Sequence, residues 1–330
     1  MSMGKTLVLG ASGFLGSHTT KALVEEGRNV RILVRKSSNT QAIDHLELER
    51  FYGDVLDCDS LKIAMQDCDS VFYCVVDTRA WLRDPAPLYR VNVDGLKNAM
   101  DAALEAGVEK FIFTSTFGTI GRRDDGPSTE TDEFNWWDDA PHYIRCRVEA
   151  ENVFMSYCRD KGLPGVACCI GNTYGSDDIA PTPHGNMVKT VALGKMPMFW
   201  DGGGPCLGIT DAARGMLLAE KNGRIGERYA FAERWLSFEE LFSLTAGYAG
   251  VKPPAFKIPL PLLYTVAFIT QLVCRLLNKE TELTVSSIKC SRLLPNIDSS
   301  KAKTELAWQP RPIEESVAQA VDFYLQREPK

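Results

Sequence analysis

Three glycines at fixed spacing, Gly10-Ala-Ser-Gly13-Phe-Leu-Gly16, stand between an apolar run, Lys5-Thr6-Leu7-Val8-Leu9, and a helical pattern through Leu15, Thr19, Leu23 and Val24. A strand that turns at once into a helix needs a residue without Cβ at the turn, which Gly10 supplies. Gly13 lets backbone approach a pyrophosphate, and Gly16 lets the helix lie close on the strand. The helix N-terminus then offers free N–H groups and a favourable dipole to an anion. A glycine trio alone is a weak signal. Here the strand before it, the helix after it and a second strand over 29–34 give the context a dinucleotide site requires. Ser12, Phe14 and Leu15 belong to the same turn and are expected at the phosphates with Gly10, Gly13 and Gly16.

The first half of the chain repeats this alternation. Residues 71–76 read as a buried strand, 92–106 as a helix stopped by Gly107, and Phe111-Ile112-Phe113 as a strand. A helix follows over 142–160 before Lys161-Gly162, and then a strand over 165–170. Near-continuous apolar strands alternating with helices predict an α/β fold of Rossmann type, a doubly wound parallel sheet covered on both faces. After Gly171, Gly and Pro become frequent and the elements shorten. A smaller, discontinuous C-terminal substrate-binding unit is therefore expected. The expected division is 1–171 for the dinucleotide-binding domain, with 208–232 returning to it, and 172–330 mostly for the substrate-binding unit.

The end of the second strand selects the cofactor. An acidic residue there suits the ribose 2′-hydroxyl of NAD, and a basic one suits the 2′-phosphate of NADP. The sequence reads Arg35-Lys36-Ser37-Ser38, so Arg35 is expected to read NADP, with NAD the alternative.

Composition excludes other classes. The net charge of −6 comes with no basic stripe to displace counterions from phosphates, so nucleic acid is not an expected partner. Ten cysteines in 330 residues contain no Cys-x-x-Cys pair. They read as small buried hydrophobes in a reducing compartment rather than a disulfide framework, and no metal site is expected. Met1-Ser2-Met3-Gly4 leads directly into the first strand without a secretory signal, so a cytoplasmic location is expected, with membrane association the alternative.

A candidate catalytic set follows the fourth strand. Thr114-Ser115-Thr116 ends one strand, and Tyr143 and Arg147, four apart, share a face of the next helix. A cation beside a phenol favours the phenolate and is expected to lower its pKa, so that the phenol can pass a proton. A nearby hydroxyl can hold the substrate oxygen.

Together these features resemble the extended short-chain dehydrogenase/reductase family, most nearly its dihydroflavonol reductase and 3β-hydroxysteroid dehydrogenase branch. The likeness runs through Gly53-Asp54-Val55, Asn92-Val93-Asp94-Gly95, Thr114-Ser115-Thr116, Tyr143, Asn172-Thr173-Tyr174-Gly175 and the stretch from Trp308 to Tyr324. It implies that Tyr143 is the acid/base and that Thr116, or less favourably Ser115, holds the reacting oxygen. It also implies that Asp54 and Val55 meet the adenine and that Cys74, Val75 and Val76 lie near the cofactor ribose. The backbone of Ile170, Gly171, Asn172 and Thr173 would flank the nicotinamide. One departure stands out: Arg147 occupies the family's lysine position. Arginine can hydrogen-bond a ribose and steady a phenolate, but it does not give up its proton to a relay.

The substrate side separates the rival activities. Nucleotide-sugar epimerases of this fold usually carry an arginine before the Asn-x-Tyr-Gly stretch and another before the Asp-Ala segment. Here those places read Cys168-Cys169-Ile170-Gly171 and Pro205-Cys206-Leu207-Gly208. Phe134, Trp136, Trp137, Met196, Met198, Phe199 and Trp200 suit an apolar pocket instead. Residues 258–277 are almost wholly apolar but include Pro259, Pro261, Gln271 and Arg275. A packed helix is expected there, with a lip for peripheral membrane contact as the alternative, and a bilayer span is disfavoured. The expected activity is an NADP-dependent oxidoreductase, a reductase or dehydrogenase moving hydride between nicotinamide and a carbonyl or secondary alcohol. Its expected partners are a small apolar substrate of steroid, flavonoid or lipid type and a second copy in a homodimer. The alternatives are a non-catalytic NADP-binding regulatory protein and an NAD-dependent sugar-nucleotide epimerase.

Overall fold

The computed structural model describes residues 4–277 and 279–327. Twelve strands run along the chain: β1 (Lys5–Leu9), β2 (Asn29–Val34), β3 (Glu49–Tyr52), β4 (Cys68–Tyr73), β5 (Lys110–Thr116), β6 (Gly165–Ile170), β7 (Asn172–Tyr174), β8 (Met198–Phe199), β9 (Gly203–Gly208), β10 (Arg228–Phe231), β11 (Arg234–Ser237) and β12 (Phe256–Lys257). Seven of them form one parallel sheet in the order β10-β6-β5-β4-β1-β2-β3. The chain winds outward from β1 in one direction and from β4 in the other. The C-terminal ends of β1 and β4 therefore flank a crevice, the place where such sheets bind ligands.

Helices α1 (Phe14–Glu25) and α7 (Ile209–Asn222) cover one face, and α2 (Cys58–Met65), α4 (Gly95–Ala106) and α5 (His142–Lys161) cover the other; the four-residue α3 (Ala86–Tyr89) precedes α4. The two apolar layers explain the continuous strand patterns. Leu7, Val71 and Phe111 face Leu61, Met100 and Phe154, whereas Val8, Phe72 and Ile112 face Leu23, Met216 and Trp308. The helix expected over 92–106 opens instead with a π-helical turn, Arg90–Asp94, before α4. The strand expected over 71–76 runs over Cys68–Tyr73. Cys74, Val75 and Val76 lie beyond it, although the Cys74 N–H still bonds the Leu9 carbonyl at 2.8 Å.

β7, β9 and β11 make a small separate sheet, and β8 pairs with β12. With α6 (Pro183–Ala192), α8 (Phe238–Ala249) and α12 (Ile313–Arg327) they enclose a second core around Tyr174, Val188, Phe242, Val317 and Tyr324. α9 (Leu260–Leu276), α10 (Val285–Leu293) and α11 (Ser300–Glu305) complete the chain. Between these pieces, α7 and β10 return to the large sheet.

Candidate active site

The glycine turn is built as its spacing demands. Gly10 sits at φ +82°, and a Cβ there would lie 2.8 Å from the Cys74 carbonyl of the neighbouring strand end. A Cβ on Gly16 would come within 2.1 Å of the Gly10 oxygen. The turn closes through a Gly13 N–H to Gly10 carbonyl bond of 3.0 Å. Among the described residues no side chain caps α1. A pyrophosphate would supply the acceptor that this helix start lacks, so the turn fits a dinucleotide.

The other residues expected at a cofactor line the same edge, each just past a parallel strand. Arg35 follows β2 with its side chain exposed. Burial pushes the nearby Asp77 carboxyl up, but Arg79, paired with it at 2.6 Å, holds it below the usual range, and Arg35 adds the smallest contribution. Asp54 and Val55 follow β3: the Asp54 carboxylate accepts from Leu56 N–H at 3.0 Å, and Asn98 Nδ2 donates to the Val55 carbonyl at 3.1 Å. Beyond β4, Asn92 holds the chain after Val76 in a two-bond clamp. Its Oδ1 accepts from Asp77 N–H at 2.9 Å and its Nδ2 donates to the Asp77 carbonyl at 3.0 Å. Ile170 ends β6, and Gly171 donates to the Phe231 carbonyl at 2.9 Å, leading into Asn172 and Thr173 of β7.

Tyr143 and Arg147 lie one turn apart at the start of α5. The Arg147 guanidinium is 1% exposed, sits over the Phe113 ring at 5.4 Å and donates from Nη2 to the Thr114 carbonyl at 2.5 Å. Among the described residues its Nε and Nη1 are buried without a partner, as is the Tyr73 hydroxyl. Orphaned donors in a buried guanidinium fit the ribose hydroxyls of a bound dinucleotide. The expected lowering of the Tyr143 pKa is corrected here. Burial raises it, and the Arg147 charge, although it acts downward, does not overcome that effect.

The two hydroxyls of the strand end part ways. Ser115 donates to the Glu151 carboxylate in a short buried bond, which commits its hydroxyl proton. Thr116 accepts from Gly118 N–H at 3.2 Å, a bond that leaves its own hydroxyl proton uncommitted. A Cβ on Gly118 would stand 3.6 Å from Thr116 Oγ1 and 2.9 Å from Ile144 Cδ1, so the strand end and the start of α5 meet closely.

Sequence reasoning missed the support beneath this set. Glu151, one turn beyond Arg147, also receives Thr119 Oγ1 at 2.9 Å and Arg228 Nη1 at 2.7 Å. Arg228 donates in addition to the Glu130 carbonyl, and the Glu130 carboxylate accepts from Ala230 N–H at 2.6 Å. These partners are 32 to 100 residues apart, so no local pattern announces them.

The proposed aromatic and methionine set does not converge on one pocket. Trp136 packs with Phe134, Ile144 and Tyr143 beside Cys290 and Leu293 of α10, while Trp137 is largely exposed. Trp200 belongs to the second core, with ring centroids 5.0 Å from Phe238 and 6.0 Å from Phe242, and Met196 and Phe199 join it there. Cys168, Cys169, Cys206 and Leu207, at the positions where the resemblance would put cations, are all buried.

The sequence pattern of the NAD dependent epimerase/dehydratase family matches residues 6–232, from β1 through the last strand of the large sheet. A putative dihydroflavonol 4-reductase from Synechocystis is 28% identical over 322 residues, covering 96% of this chain and 93% of its own. Sterol demethylase protein B from Methylococcus capsulatus is 28% identical over 325 residues, 98% of each chain. Among solved structures, gox2253 superposes with a TM-score of 0.86 at 35% identity, over 99% of this chain and 98% of its own.

Proposed function

The chain belongs to the NAD dependent epimerase/dehydratase family, and from that premise we propose that it is an NADP-dependent reductase or dehydrogenase acting on the carbonyl or secondary alcohol of an apolar molecule. The observation that carries this reading is that Arg147, one turn beyond Tyr143 on α5, bonds the strand that ends in Thr116, whose hydroxyl proton is uncommitted, at the sheet edge that also holds the glycine turn. A bound nicotinamide dinucleotide supplies the hydride. In reduction, Tyr143 gives its phenolic proton to the carbonyl oxygen while Thr116 donates a hydrogen bond to the same atom. The Arg147 cation steadies the phenolate that results, and its orphaned N–H groups hold the ribose. Oxidation of an alcohol reverses these roles.

Apolar packing of Trp136, Ile144 and Leu293 around Tyr143 supports an apolar substrate, as do the buried cysteines where the resemblance would put cations. The dihydroflavonol reductase and sterol protein among its relatives agree with that class. Arg35, exposed past β2, supports NADP over NAD. The test is a screen of ketones and secondary alcohols followed through NADPH and NADH absorbance. The proposal expects turnover with NADPH preferred. A preparation that holds NAD+ tightly and turns over only nucleotide sugars would replace it with the epimerase reading, which the family's breadth keeps as the second candidate.

A further inference from the structure

Of the sixteen large apolar side chains exposed among the described residues, ten lie between Phe256 and Leu283. The packed helix expected over 258–277 is therefore corrected: α9 buries only Leu263 and Ala267. Leu262, Val266, Ile269, Val273 and Leu276 repeat at three- and four-residue spacing along one open stripe, with Phe268 and Leu272 on its shoulder. Phe268 is 63% exposed and Leu276 79%. A patch of this kind marks an interaction surface rather than ordinary scatter.

Charge identifies the occupant. Residues 251–293 carry six Lys or Arg and two Asp or Glu, in a chain whose net charge is −6. Lys257 is paired with Asp201 at 2.7 Å, and Lys252, Arg275, Lys279 and Arg292 are exposed in the same stretch of chain. We propose that α9 docks the protein on an anionic lipid surface, its apolar stripe entering the headgroup boundary while the basic residues meet the lipid charges. A symmetric contact with a second copy would instead bring the same positive segment against itself. Among the described residues no helix is long and apolar enough to cross a membrane, so the helix lies in the interface. Gln271 of α9 also lines a cavity of 340 Å³ with Trp81, Leu82, Arg83, Asp84, Lys279 and Glu280, a mixed and partly charged wall. The docking does not depend on the function proposed above.

The test is sedimentation with vesicles of phosphatidylcholine alone and of phosphatidylcholine mixed with phosphatidylglycerol. The full chain should bind the mixed vesicles at least about tenfold more tightly, and added salt should weaken binding. The variant Ile269→Ser/Leu272→Ser changes two exposed residues and should bind at least about tenfold more weakly, with an unchanged melting temperature. Arg275→Glu tests the charge separately, whether or not the double variant folds, and should lose the preference for mixed vesicles. Absence of binding to mixed vesicles, equal binding to both compositions, or a double variant that binds like the parent overturns the proposal. So does a double variant whose only effect is to split a dimer into monomers. No turnover is measured, so failure of the proposed reaction leaves this result intact.

Discussion

Arg147 donates from Nη2 to the Thr114 carbonyl at 2.5 Å, and so ties the helix that carries Tyr143 to the strand that carries Thr116. That bond uses one end of the guanidinium and leaves Nε and Nη1 buried and, among the described residues, unpartnered. Buried donors left unsatisfied cost about 1–3 kcal/mol, which a ribose hydroxyl would recover. Arg147→Lys should therefore keep turnover within about tenfold, since the charge remains, whereas Arg147→Met should weaken NADPH by about tenfold or more and abolish turnover. Steady-state kinetics with fluorescence titration of NADPH check both. An inert parent that Arg147→Lys makes active would point to a regulatory protein instead.

Arg35 should discriminate the cofactors. Losing a charge-assisted contact to the 2′-phosphate costs roughly 1.5–3 kcal/mol, so Arg35→Ala should weaken NADPH about ten- to a hundredfold and leave NADH nearly unchanged. Equal weakening of both in titration would show that Arg35 does not read the phosphate.

Glu151 should be a stability residue as well as a support for the strand end. Its side chain is 4% exposed and pairs with Arg228, itself 17% exposed. Removing one partner of a buried pair leaves an uncompensated charge, here with Ser115 and Thr119 also stripped of their acceptor. Glu151→Ala should cost about 3–5 kcal/mol in denaturant unfolding, and a loss under about 1 kcal/mol would contradict the network's role.

His18 should make the fold acid-sensitive. Burial, followed by the charge of Lys21, lowers its pKa from 6.5 to about 4, and its Nε2 lies 3.0 Å from the Ser176 carbonyl. Between these values the unfolded chain binds the proton and the folded chain does not. His18 therefore takes stability away as pH falls from 6.5 towards 4. His18→Gln should flatten the pH dependence of the unfolding free energy in that window by up to about 1.4 kcal/mol per pH unit. An unchanged slope would place the acid sensitivity elsewhere.

The glycine turn, the strands of the large sheet's centre and the Tyr143 helix were legible because each rests on short-range spacing. Strand β3 was not, since Glu49 and Arg50 interrupt its apolar pattern; Arg31 of β2 meets Glu49 at 2.9 Å, a pairing visible only in three dimensions. The choice of Thr116 over Ser115 was read from a resemblance, and the physical reason for it, the Glu151 carboxylate, sits 36 residues further along the chain. The sign of the Tyr143 shift failed for a related reason. The cation four residues away is local, whereas burial comes from Trp136, Cys290 and Leu293 folding over the ring. The apolar run at 258–277 was plain, but whether it would be covered depends on what packs on α9, where only Leu263 and Ala267 are fully buried, with Leu260 and Tyr264 partly so.

The most direct measurement follows NADPH consumption across a homologous series of apolar ketones, with the parent and with Tyr143→Phe. The parent should turn over with kcat/KM rising along the series, as each buried methylene contributes about 0.8 kcal/mol, until the pocket is full. Tyr143→Phe should lose at least about a hundredfold in kcat through loss of its transferable proton, with NADPH affinity unchanged within about threefold. Retention of most of the parent rate by Tyr143→Phe would contradict the assignment of the proton donor. Saturable binding of a nucleotide sugar with no response to any ketone would contradict the account as a whole.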